Sequence, residues 1–176
     1  MQAGRTGLFG KLPAHADFVH RLLPRSFIAP WDAWLSDGIL AAQPTLVERY
    51  AAAWETAPAW RFRLAPGVCG PDAALGVMLT SADQVGRRFP LTLVALQPMA
   101  VPPPAEEWFV ALESAARAGR DGALDADQLV AALPALPDED DDATLDGRSL
   151  FWSAAGTQLT AMPPASLFHL MLGAGA

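Results

Sequence analysis

Two segments of this chain, Leu75 to Thr80 and Phe89 to Leu96, have the length and composition of strands but lack the alternation of a half-wet strand. In the second, Leu91 and Leu93 point to one side while Val94 and Leu96 point to the other. A strand that is apolar on both faces must be covered on both, so helices are expected above and below the sheet. The intervening residues, Ser81 to Arg88, are polar and include Gly86, which predicts a hairpin with a sizeable loop. In contrast, Trp60, Phe62 and Leu64 alternate with Arg61 and Arg63, predicting a strand with one buried and one wetter face.

The chain is long enough to build such a core. It has 176 residues, 52% hydrophobic and 18% charged, which suits one domain over 1–176 and excludes a disordered tail. Twelve basic against 19 acidic residues, a net charge of −7, oppose binding to a phosphate backbone, so no nucleic-acid partner is expected. A single cysteine, Cys69, excludes an intrachain disulfide framework. Met1 to Leu12 lacks the apolar core of a signal peptide, and no stretch reaches the roughly 18 apolar residues of a membrane span. The expected location is cytoplasmic, without membrane insertion.

Gly7 to Leu12 reads as a first strand closed by Pro13, and Phe18 to Leu23 as an extended piece stopped by Pro24. Pro30 can occupy a first helical turn, and Trp31, Trp34, Leu35, Ile39 and Ala42 recur at helical spacing. With Pro44 ending that helix and opening another, a helical hairpin is expected from about 30 to 55. A proline-rich connector spans 97–104, and helices follow near 105–118 and 125–133, the second started by an Asp125 and Gln128 capping box. An acidic loop occupies 137–146, followed by a last strand over 148–153 and a last helix over 163–172.

Most chemical motifs fail on spacing. Gly10-Lys11 is followed by Leu12 rather than the hydroxyl residue of a phosphate-binding loop, and Gly147 to Phe151 lacks the second glycine of a hydrolase elbow. His15, Asp17 and His20 are metal-ligand types, but neither a strand nor a helix makes them converge. The simpler reading is a polar loop bonding its own backbone, with Asp17 as acceptor. Cys69 reads as a small buried residue rather than a nucleophile, and the run Asp138 to Asp142 as a solvated segment rather than a calcium loop. Four tryptophans fall at core phase; Trp108 and Trp152 are interface candidates if exposed. What survives is Ser81, Asp83, Gly86, Arg87 and Arg88, on a loop between two buried strands. An arginine fork there suits a carboxylate or phosphate, and equally an Asp83–Arg87 pair can pin the loop.

Several ordered motifs carry a resemblance: Gly7-Leu-Phe-Gly-Lys-Leu-Pro13, Asp17-Phe-Val19, Leu23-Pro-Arg-Ser-Phe27, Pro30-Trp-Asp-Ala-Trp-Leu35, Pro58-Ala-Trp-Arg-Phe62, Cys69-Gly-Pro71 and Ser81-Ala-Asp-Gln-Val-Gly-Arg-Arg-Phe-Pro-Leu91. The chain resembles the TagF family of type VI secretion system-associated proteins, most densely over 7–97 and weakly through Gly147-Arg-Ser-Leu-Phe-Trp152. The resemblance implies a three-layer α/β/α sandwich, expected here as a single stand-alone domain with a mixed, largely antiparallel sheet. It also implies a post-translational repressor of type VI secretion in Gram-negative bacteria, which in some systems binds a forkhead-associated (Fha) scaffold protein. No catalytic residue, cofactor or metal is implied. The candidate partner-binding residues are Lys11, Asp17, Ser81, Asp83, Arg87 and Arg88. The family usually has glycine where Ala16 stands; were that position to take a positive φ, alanine would strain the turn by about 1 kcal/mol. The alternative is a small enzyme or a nucleotide- or anion-binding module using Lys11, Asp17 and Arg87. It requires those three side chains to converge in a deep pocket.

Overall fold

A computed structural model describes residues 6–99, 104–136 and 148–173. Residues 100–103 of the connector and the acidic loop 137–146 lie outside the described residues. Seven strands, β1 (Thr6–Gly10), β2 (Val19–Arg21), β3 (Trp60–Leu64), β4 (Ala73–Leu79), β5 (Leu91–Gln97), β6 (Leu150–Ser153) and β7 (Gln158–Thr160), form one sheet in the order β2-β1-β5-β4-β3-β6-β7. On one face lie α1 (Arg25–Leu46), α2 (Tyr50–Thr56) and α5 (Phe168–Gly173); on the other lie α3 (Glu106–Arg120) and α4 (Ala126–Ala132). The expected three-layer α/β/α sandwich is therefore present. Its sheet is not mixed: among the described residues every ladder is antiparallel. The helical crossovers bring β3 and β6 into the sheet antiparallel to their neighbours. Among the described residues, no helix is long and apolar enough to cross a membrane.

The two-faced strands divide the interior into two cores. Phe27, Trp31, Trp54, Phe62, Phe151 and Phe168 pack on the α1 side; Leu8, Val77, Leu91, Leu93, Phe109 and Leu112 pack on the α3 side. β4 is buried at every position, as the sequence requires of a central strand. Its lone glycine, Gly76, leaves room for the Leu93 backbone and the Phe62 ring, which a Cβ would strike. The one polar side chain deep in β5, Thr92, accepts a hydrogen bond from the Trp31 indole N–H at 2.9 Å, so neither polar group is buried unpaired. Trp108 is buried and Trp152 half-buried against Phe109, so neither is an exposed anchor.

The helical hairpin expected over 30–55 is instead one 22-residue helix that starts earlier, at Arg25, and runs through both Pro30 and Pro44. Pro24 takes the N-cap with extended backbone, and its carbonyl receives the Phe27 and Ile28 N–H groups. Both internal prolines sit on the exposed side, where a carbonyl deprived of its helical donor can bond to water. The turn comes three residues after Pro44, at Val47, whose φ is 46°. β7 was missed because Gln158–Thr160, although polar-apolar-polar, is only three residues long, too short for its alternation to mark a strand. The final helix begins as a 3-10 turn at Ala165.

The arginine face of β3 is only partly wet: Arg63 is half-buried, the one position of the strand that is not fully buried, whereas Arg61 is covered. Arg61 is 3% exposed, and its guanidinium meets Glu106 and, at 2.7 Å, Glu113, both on α3. The period-2 pattern was right, but α3 covers Arg61 and its charge is neutralised from above. Arg61→Ala leaves the nearly buried Glu113 with only the more distant Arg117, at 3.9 Å, and should lower the free energy of unfolding by about 3 kcal/mol. Urea denaturation measures this, and Arg61→Met combined with Glu113→Gln should recover most of the loss.

Candidate functional site

β1 ends at Gly10, whose φ of 137° and close approach to the Pro90 carbonyl exclude any side chain. That passage delivers Lys11 into the end of the sheet, with its side chain only 9% exposed. Beyond β4, the chain closes a turn over 83–87. Gly86 takes a φ of 86°, and its N–H donates to the Asp83 carbonyl at 2.9 Å. The Asp83 side chain is fully buried and accepts four hydrogen bonds. Oδ1 receives the backbone N–H groups of Val85 at 3.1 Å and Arg87 at 2.9 Å; Oδ2 receives Lys11 Nζ at 3.0 Å and Arg87 Nε at 2.7 Å. The Ser81 hydroxyl donates to the Lys11 carbonyl at 2.8 Å, fixing the lysine backbone from the segment that follows β4.

Burial alone would push the Asp83 carboxyl upward. The Arg87 N–H, Lys11, the Arg87 side chain and the Val85 N–H more than offset it and hold the group far below the usual carboxylate range. Asp83 is therefore an ionised hub bonded to two cations.

Arg87 also reaches outward. Its Nη2 donates to the Ala16 carbonyl at 2.6 Å, and Gln84 N–H donates to the His15 carbonyl at 2.8 Å, so the 83–87 turn lies clamped against the 15–18 segment. Ala16 is not at a positive φ, so the expected alanine strain does not arise; the left-handed residue nearby is Leu22, at 59°. His15 Nε2 accepts the Ala126 N–H at 3.0 Å, tying this segment to the start of α4, where Asp125 and Gln128 form the expected capping box. Asp17 accepts its neighbour Phe18 N–H at 2.8 Å, the local role expected of it. Arg88 leaves the cluster and faces Glu55 at 3.8 Å.

Of the six candidate residues, Lys11, Ser81, Asp83 and Arg87 converge, whereas Asp17 and Arg88 lie beside them without joining. Lys11 and Arg87 meet on Asp83, and none of Lys11, Asp17 and Arg87 lines the nearby cleft of about 280 Å³ between Trp54, Glu55, Thr80, Ala82, Arg120 and Asp121. Cys69 is buried beside the Phe27 carbonyl, and burial pushes its thiol up to about 12, which leaves it an unreactive packing residue.

Sequence reasoning missed two surface residues here. Phe18 is 44% exposed although its ring packs against Phe9 and Phe89 and lies 4.9 Å from Lys11 Nζ; Val85, at the turn, is 71% exposed. An apolar valine in an otherwise polar loop was the available signal. With the Arg87 side chain 61% exposed, these residues form an aromatic, aliphatic and guanidinium surface on a rigid support.

Residues 7–136 match the TagF N-terminal domain family, described as type VI secretion system-associated. The crystal structure of PA0076 from Pseudomonas aeruginosa PAO1 is similar at 32% sequence identity with a TM-score of 0.83, covering 97% of this chain and 95% of that one. No curated protein matches this chain.

Asp83→Asn leaves Lys11 and Arg87 without their anion and should lower Tm by at least about 6 °C in calorimetry. A carboxylate with a depressed folded value contributes its stability fully above its unfolded value, near ~3.9. The difference between wild type and variant should therefore hold steady above about pH 5 and begin to narrow only below about pH 4.

Proposed function

Because the chain belongs to the TagF N-terminal domain family of type VI secretion system-associated proteins, we propose that it is a non-catalytic regulator that represses this secretion post-translationally by binding a system component. A forkhead-associated, Fha-like scaffold is the candidate partner, and the cytoplasm the proposed site of action. The observation that carries this reading is the Asp83 hub. Its two cations are occupied by the carboxylate, so the charges position a loop rather than wait for a substrate, and the loop with the adjoining 15–18 segment presents Val85, Arg87 and Phe18 outward. Held in place by the sheet end and the 15–18 segment, this surface loses little conformational freedom on association. A repressor that binds one state of its target shifts assembly by mass action, with no chemistry required.

Arg87 is both a pin and a surface residue, so its substitution alone cannot separate the two roles. Val85 can. Val85→Asp should leave Tm within about 1 °C of wild type, because the side chain is exposed, and weaken partner binding at least about tenfold in calorimetric titration. Deleting the gene should raise secretion, and complementation with Val85→Asp should fail to restore repression. Secretion unchanged by deletion would defeat the regulatory reading. Phosphoester hydrolysis by the purified protein, abolished by Lys11→Met, would replace it with the enzymatic one.

A further inference from the structure

Among the described residues, the end of β4 leaves one strand edge without a partner. Phe89 N–H donates to the Ser81 carbonyl and Asp83 N–H to the Arg87 carbonyl, so Ser81 and Asp83 direct their backbone groups toward the β5 side. Ala82 bridges Arg88 as the intervening non-hydrogen-bonded pair, and by the same alternation Thr80 turns its N–H and C=O away from β5. On that other side β3 begins only at Trp60, opposite Met78. In that register the position opposite Thr80 is Pro58, which has no N–H to give. Among the described residues, the backbone N–H and C=O groups of Thr80 and Ala82 have no hydrogen-bond partner, although Thr80 is only 8% exposed.

Both residues line the 280 Å³ cleft between the end of α2 and the end of α3. The other polar groups there are engaged: the Thr80 hydroxyl donates to the Trp54 carbonyl at 2.8 Å, and the Ser81 hydroxyl to Lys11. On the rim, Glu55 faces Arg88 and Arg120 faces Asp121 at 3.1 Å, so the charges stand in opposed pairs. An occupant is therefore asked for main-chain donors and acceptors at two-residue spacing, about 6.8 Å apart, and for no net charge. A phosphate or a metal ion meets neither demand.

We propose that this cleft binds an extended, uncharged peptide segment of a partner protein, which adds a short strand to Thr80 and Ala82. The site faces away from Arg87 across the 81–83 segment and does not rest on the regulatory reading.

The test is a titration of the isotope-labelled full chain with the blocked tetrapeptide acetyl-Thr-Val-Thr-Val-amide, followed by amide NMR. Saturable downfield shifts at the Thr80 and Ala82 N–H groups, with a Kd of about 1 mM or tighter, are expected for a segment this short. Ala82→Pro removes one donor that bonds nothing among the described residues and should weaken binding at least tenfold; Ala82→Val retains the donor and should bind as wild type. The same peptide N-methylated at alternate amides should not bind, a control that holds even if the proline variant misfolds. Absence of shifts at Thr80 and Ala82, or equal binding by the N-methylated peptide, overturns the proposal. Because the readout involves no secretion component, its failure is distinct from failure of the regulatory role.

Discussion

β4 and β5 have no side to offer water, and every layer of this protein is arranged around that constraint. Val77, Leu91 and Leu93 need cover from α3, while Ala74, Met78 and Val94 need it from the α1 side. Burying a Leu or Val side chain contributes about 1.5–3 kcal/mol, so exposing either face would cost several such contributions at once. The tryptophans fit the same scheme. Their rings fill the interior, and the indole N–H groups of Trp31, Trp54 and Trp60 reach Thr92 and the Ser81 and Met171 carbonyls within it.

A sheet closed on both faces places recognition at its ends and edges. At the end where β1 arrives and β4 leaves, Asp83 converts what would be a loose loop into part of the framework. The carboxylate gathers Lys11 from one strand, Arg87 from its own turn and two backbone N–H groups. An ion this deep is tolerated because all its lone pairs are occupied. Two surfaces follow from the same construction: the apolar and guanidinium face of Phe18, Val85 and Arg87 on one side, and the unladdered edge of Thr80 and Ala82 on the other.

Much of the fold was legible because it depends on patterns a few residues long. The two-sided strands called for helices on both faces, and Asp125 with Gln128 marked the start of α4. Where the reading failed, a distant contact overruled a local rule. Pro30 and Pro44 are poor helix residues, yet α1 continues through them because its buried face, from Phe27 to Leu46, is anchored on the sheet and on Phe168. The alternation of β3 was read correctly as a strand with one wetter face, which holds for the half-buried Arg63 and fails at Arg61, since nothing near residue 61 reveals Glu106 and Glu113.

The candidate site divides along the same line. The sequence by itself determined that Ser81, Asp83, Gly86 and Arg87 share a turn between buried strands, because turn chemistry and strand hydrophobicity are local properties. Only the tertiary structure decided that Lys11 joins Asp83, that Asp17 and Arg88 do not, and that Thr80 and Ala82 are left with unpaired backbone. Those outcomes depend on which strand ends lie side by side and where β3 begins. That register is set by packing across the whole sheet, and no short segment of the chain encodes it.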